Sequence, residues 1–475
     1  MRAVFRIARE EWRLMCRDRV AVLGLALLLL LGTVAAFTAW DQRGAAQADR
    51  QRHQTQVDQE FDGQPDRHPH RMVHYGHFVF RPLNPLAAFD SGIDPFTGHT
   101  LFLEGHRQNS ANFGDVRQSS LLLRFGQLTP AFVLQVLAPL LLAFLGHAAV
   151  ARERERGTLR VLMAQGLRPG QLVAGKLLAL AAAAALMLLP AALALAAIAL
   201  DDPASTPLAL SIALAHAAWL LLWTLGVVLV STWARRSRDA LMALLAAWTV
   251  GVVLIPRLAP ELAAAQRPLP TRLETDIAVA RDLAALGNSH NPDDPHFAEF
   301  RRQVLAKYGV SRVEDLPVNY KGLVGMEGER LTSELFERYG RESFARQHAQ
   351  LRHVALFSSI SPVIALRGIS MAAAGTDLCS YQRFLEQAEK HRYTLMQSLN
   401  RLQAEQLSWA SDRNSRESRI SKDHWHGLAS FHFEPEPMAA TLQRIAPLSA
   451  VLAAWLLALA TAMAWATRRL QGAMR

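Results

Sequence analysis

Three groups of side chains in this 475-residue chain could do chemistry. Gly170-Gln171-Leu172-Val173-Ala174-Gly175-Lys176 fits G-x-x-x-x-G-K, most of a phosphate-cradling loop. Such a loop needs a strand before it, a helix N-terminus after it, and Ser or Thr after the lysine for Mg²⁺. Here residue 177 is Leu, no strand pattern precedes Gly170, and a long apolar run follows, so the nucleotide reading fails. The second group is HPHRMVHYGH, with His68, His70, His74 and His77, followed by His99 and His106; His424, His426 and His432 lie far along the chain. Imidazoles at such spacings can bind Zn²⁺ or Cu²⁺. No cysteine or close carboxylate completes a set, and Pro69 is expected to disrupt a helical i,i+4 face. These histidines therefore read as solvated loop residues and no metal is assigned. The third group is the few polar residues inside apolar runs, of which Gln135 and His216 are the candidates for lining a pathway; packing between helices is their plainer use. HExxH and GxSxG are absent, so no enzymatic role is expected of the chain itself.

The elements that must position these residues follow from hydropathy. The 51% apolar content is concentrated in six windows, 20–40, 127–150, 177–200, 207–233, 240–258 and 446–467. Each is long enough to cross a ~30 Å hydrocarbon layer as a helix. The first is longer than the ~7–15 residues of a cleaved signal core and reads as a retained span. The expected fold is mainly α: a polytopic six-helix transmembrane protein with a composite, mostly helical extracytoplasmic domain. Lysine and arginine placement orients it. The tail 1–19, the loop 151–176, the loop 234–239 and the tail 468–475 are rich in arginine, whereas DDPASTP (201–207) has no basic residue. The basic segments, and with them both termini, are expected in the cytoplasm of a cell with an inner membrane, and 41–126 and 259–445 outside. The arginine- and alanine-rich composition suits a bacterial source. The net charge of +10 is then a topology signal, with no nucleic-acid partner. Cys16 and Cys379 fall on opposite sides and cannot pair. No charged residue lies mid-span, which disfavours ion-coupled transport and places the energy source elsewhere.

Residues 3–18 carry Val4, Ile7, Ala8, Trp12, Leu14 and Met15 on one stripe, the pattern of an interfacial helix. Segment 41–126 begins helical and then turns Pro-, Gly- and His-rich. Segment 259–445 shows helical spacing near 271–286, 296–307, 327–353 and 379–409, with 423–437 extended, and can bury a core of its own. The 41–126 segment is expected to pack on it. Pro139 and Pro190 can kink the second and third spans.

In 151–176 a membrane helix continues to Arg156, Gly157 breaks it, and Thr158–Gln165 forms a short helix with Leu159, Leu162 and Met163 on one side. Gly166, Arg168, Pro169 and Gly170 turn the chain back towards the membrane, with Lys176 at the interface. This stretch, ERERGTLRVLMAQGLRPGQLVAGK, resembles the loop between the second and third spans of type 2 ABC exporter permeases. Glu153 or Glu155 with Gly157, Thr158 and Leu159 match the family's E-x-x-x-G-T-L signature, and Gly175 and Lys176 its G-K. SP…AAAGTDLCSYQRFLEQAEKHR (361–392) and NSANFG (109–114) resemble pieces of a sub-family with large extracytoplasmic loops. The resemblance implies a coupling helix docked on a separate ABC ATPase subunit dimer. ATP and Mg would be bound there, with no cofactor in this chain. Glu153 and Glu155 would pair with cationic groups, and Leu159, Leu162 and Met163 would fill the ATPase groove. A second permease copy, in a homodimer or heterodimer, and membrane lipids complete the implied assembly. Two other readings remain: an ATPase-driven mechanotransmitter that acts on an envelope partner without flux, and a His-rich metal-handling membrane protein.

Overall fold

A computed structural model of the protein describes residues 2–109, 128–287, 291, 294–413 and 417–472. Helix α1 (Arg2–Arg17) precedes α2 (Arg19–Asp62), and α3 (Pro69–Tyr75) follows. Strands β1 (His77–Phe80) and β2 (Thr100–Leu103) pair antiparallel, from His77 opposite Leu103 to Phe80 opposite Thr100. Then come α4 (Pro130–Glu155), α5 (Thr158–Ala164), α6 (Pro169–Asp201), α7 (Thr206–Trp233) and α8 (Ser237–Gln266). The remainder is α9 (Arg272–Leu286), α10 (Pro295–Tyr308), α11 (Tyr320–Leu356), α12 (Pro362–Ala374), α13 (Leu378–Gln406) and α14 (Met438–Gly472). All but Asn109 of NSANFG lies outside the described residues.

Six of these helices, α2, α4, α6, α7, α8 and α14, are long and apolar enough to cross a membrane, and they form one bundle. Helix α7 is its centre, packed on α4, α6 and α14. Small residues let the helices close on one another, as they must where lipid supplies no hydrophobic drive. A Cβ on Gly146 of α4 would lie 2.5 Å from Val227 of α7. Trp219 and Trp223 meet edge to face at 5.8 Å inside the bundle. Leu23, Leu27, Leu30 and Phe37 of α2 and Leu457 of α14 face outward, an apolar surface suited to lipid. Pro139 stands, with one residue between, beyond a π-helical segment of α4, Val133–Leu137, which takes up the local distortion; Pro190 lies inside α6, facing Gly32 of α2.

Apart from α1 and α5, the other described elements build a head at the end of the bundle away from the arginine-rich segments. It is composite. Phe61 at the end of α2 and Met72 and Val73 of α3 share a core with Leu395, Met396 and Leu399 of α13 and with Trp425. The β-pair supplies Val79, Leu101 and Leu103 against Phe384 and Ala388 of the same α13. One element of 259–445 does not stay in the head. Helix α12, PVIALRGISMAAA, packs between α7 and α14, and Val363, Leu366 and Ile369 join the bundle core. Ser361 before it donates to the Gly251 carbonyl inside α8 at 2.5 Å. With 13 residues α12 is only about 20 Å long, too short to span, so it escapes a hydropathy window set for full crossings.

Candidate functional site

The arginine-rich ends of the bundle gather around residues 150–176. The helix break comes at Gly157, whose φ of +75° only glycine adopts without penalty; Gly166, at +87°, makes the second turn. Between them α5 is a two-turn knuckle. Thr158 at its start donates from Oγ1 to the Glu153 carboxylate at 2.5 Å. The Gln171 side chain accepts from the Arg168 N–H at 3.0 Å and helps start α6 at Pro169. Residues 170–176 already lie within α6, and a short helix, not a strand, comes before them, so the strand–loop–helix frame of a phosphate cradle is missing here.

The segment leading into the knuckle is tied to four helices. The N–H groups of Val150 and Ala151 donate to Ser231 Oγ of α7 at 2.9 and 3.1 Å. Arg154 donates to the Ala234 carbonyl at 2.6 Å, where a cation complements the carbonyl end of α7. Glu155 accepts from Ser237 N and Oγ at 3.1 and 2.9 Å, which caps the first turn of α8 with a negative charge. Glu153 lies 3.3 Å from Lys176 Nζ of α6. Lys176 is buried and also meets Glu11 of α1 at 2.5 Å; Arg152 approaches the other Glu11 oxygen at 3.5 Å. Gly175 makes this contact possible, because a Cβ there would lie 2.6 Å from Ile7 of α1.

The short helix does not present all of its expected apolar side outward. Leu159 is only 6% exposed and anchors the knuckle to its own chain, while Leu162 and Met163 are half-buried. Val161 is 55% exposed, alongside exposed Arg160, Ala164, Gln165 and Arg168. A helix this short puts every side chain near either the bundle or solvent, and the Gly157 turn decides which. Glu11, Ser231 and Ser237 were not among the expected site residues. Glu11 alone carried a signal: it falls at helical spacing within the buried stripe of α1, between Ala8 and Trp12.

Gln135 and His216 are both buried, and their side chains lie 3.4 Å apart, joining α4 to α7. His216 Nδ1 is 2.9 Å from the Ile212 carbonyl, and Phe89 packs edge-on against its ring at 4.9 Å.

The histidines of the head divide. His68 pairs with Asp412 at 2.5 Å. Burial works to raise that carboxyl, but bonds from His68, Lys321 and Asn319 outweigh it and hold it below its usual range. His77 pairs with Asp58 at 2.9 Å, and His426 with Asp62 at 2.8 Å. His70 and His74 instead meet each other and His106. Pro69 does not spoil their helical face. It occupies the first turn of α3, where its missing N–H costs nothing, and His68 caps that turn by accepting from His70 N at 3.0 Å.

A bundle of six apolar helices with a separate composite head defines a multi-pass membrane protein. The family model described as ABC-2 family transporter protein matches residues 5–278, more than half of the chain, and a second, Domain of unknown function (DUF3526), matches 272–434. The chain belongs to the ABC-2 transporter family: it is a transmembrane component of an ABC transporter, a type of subunit distinct from the ATPase. In general such subunits work with an ATPase partner and in pairs. No curated relative matches the chain.

Proposed function

We propose that this permease subunit is an exporter component driven by a separate ATPase through α5, with the arginine-rich face in the cytoplasm of the inner membrane and the head outside. One observation carries the reading. Residues 150–155 bond at once to α1, α6, α7 and α8, so movement of the knuckle passes to four helices through direct contacts. ATP and Mg stay in the partner. Val161 and the half-buried Leu162 and Met163 supply the apolar contact, and Arg160 and Arg168 the charged rim. A second permease copy covers part of the exposed apolar surface and lipid covers the rest.

The test is cross-linking in a Cys16→Ser background, with the chain co-expressed with its ATPase. Val161→Cys should cross-link to the ATPase, and Leu210→Cys, exposed on α7 near the opposite end, should not. Inverted membrane vesicles should accumulate cargo only with ATP. An ATPase that copurifies but links equally well from both positions would overturn the assignment of α5.

A further inference from the structure

We infer that His70, His74 and His106 form a binding site for a divalent transition metal of the Zn²⁺ class in the head. The ligand atoms of the three side chains all lie within 4.8 Å of one another. His70 and His74 stand four residues apart on one face of α3, with their Nε2 atoms 3.1 Å apart. Zn–N bonds of about 2.0–2.1 Å at a tetrahedral angle put neighbouring ligand nitrogens about 3.3 Å apart. This pair is thus already at ligand spacing, and a modest rotation of the His106 ring closes the set.

His106 is held in place at a cost in backbone strain. Its φ of +62° is the only positive value at a non-glycine among the described residues. Three hydrogen bonds and one close approach impose it. Gly105 N donates to the Val73 carbonyl of α3 at 3.1 Å. A Cβ on Gly105 would lie 2.3 Å from the Val73 side chain, so only glycine allows this approach. Arg392 donates to the Glu104 carbonyl at 3.0 Å, and His106 N donates to Glu329 Oε2, also at 3.0 Å. Together they press the loop onto α3 and carry His106 to within 5.5 and 6.0 Å, ring to ring, of His74 and His70.

A carboxylate backs the ligand. Glu329 Oε2 is 3.7 Å from His106 Nδ1, beyond hydrogen-bond reach but close enough for its charge to favour a cation bound to that ring. Glu329 is itself fully buried and anchored by Arg392 at 2.5 Å and Ser333 at 3.2 Å. Imidazole-only ligation selects a borderline ion, Zn²⁺ or its neighbours, over oxygen-seeking Mg²⁺ and Ca²⁺. Three protein ligands leave a fourth position open. His74 is exposed, so that position faces water and can accept a ligand from outside the chain. The ion would clasp the segment after the first span to the loop that α11 and α13 hold.

The test uses the full-length protein in detergent, purified through an affinity tag without histidine, stripped by chelator and titrated with Zn²⁺ and Co²⁺. About one Zn²⁺ per chain should bind, and Co²⁺ should give the visible absorption of a tetrahedral nitrogen site. His74→Ala, at an exposed position the fold does not need, and His106→Asn, which keeps a residue tolerant of positive φ, should each weaken binding at least tenfold. His424→Ala/His426→Ala should bind as the parent does. Parent binding no stronger than that of His74→Ala, or equal loss in the His424→Ala/His426→Ala control, overturns the site.

Discussion

Lys176 at the arginine-rich face and Arg392 in the head are each buried and each contact two carboxylates, yet they are held differently. Arg392 is 1% exposed and its partners Glu329 and Glu389 are 0% and 6% exposed. All three of its nitrogens are engaged, by the two glutamates, Ser333 and the Glu104 carbonyl. Burial acts to lower its pKa, and the Glu389 and Glu329 contacts more than reverse that, so it stays charged. Lys176 is an ammonium on a flexible stem, and its partners Glu11 and Glu153 keep 12% and 20% exposure. A rigid fork enclosed on every side fixes a frame. A point charge shared between two partly exposed carboxylates on different elements can slide, which suits the joint that the proposed coupling calls for.

Removing Arg392 should have the largest effect. Arg392→Ala strands Glu329 and Glu389 without their counter-charge and should cost about 3–5 kcal/mol. The head should then become protease-sensitive within α13 while the bundle stays in the membrane. Arg392→Lys should not restore it, since one ammonium cannot reproduce the fork. Normal protease resistance in Arg392→Ala would mean that the network is not the frame of the head.

Lys176→Met should cost less, on the order of 1–3 kcal/mol, because Glu11 and Glu153 can turn to water. A double-mutant cycle with Glu11→Gln, read by thermal unfolding in detergent, should give a coupling of about 0.5–3 kcal/mol. Additive effects would separate α1 from the loop and remove the joint.

Much of this contrast could be read from the chain. Six apolar windows announced the bundle, and Gly157 and Gly166 announced the knuckle, because hydropathy and positive φ are local properties. The partners were less visible. Glu11 and Lys176 are 165 residues apart, and nothing in either neighbourhood names the other. His106 joins His70 and His74 only through the fold, and Pro69, read as a breaker, starts the helix that aligns the pair. Helix α12 was hidden by its length and by Arg367 in its middle. Periodicity put Leu159 on one side with Leu162 and Met163, and the resemblance turned that side to a partner, but a two-turn helix has too few turns for periodicity to say which side the bundle takes.

The smallest change in stability should come from the knuckle itself, where it best separates joint from frame. A Cβ on Gly157 meets nothing within 4 Å, so Gly157→Ala tests backbone conformation alone and should cost about 1–2 kcal/mol from its left-handed φ. Val161→Asp, on the exposed side, should change stability by no more than about 0.5 kcal/mol. Both should reduce stimulation of the partner's ATP hydrolysis: Gly157→Ala by re-aiming α5, Val161→Asp by putting a charge into an apolar contact. Arg160→Ala should do so more weakly, since a rim charge contributes little. If Val161→Asp leaves stimulation intact while Gly157→Ala abolishes it, the partner grips another face of the knuckle. If neither matters, the four-helix tie at 150–155 is structural, and the drive enters elsewhere.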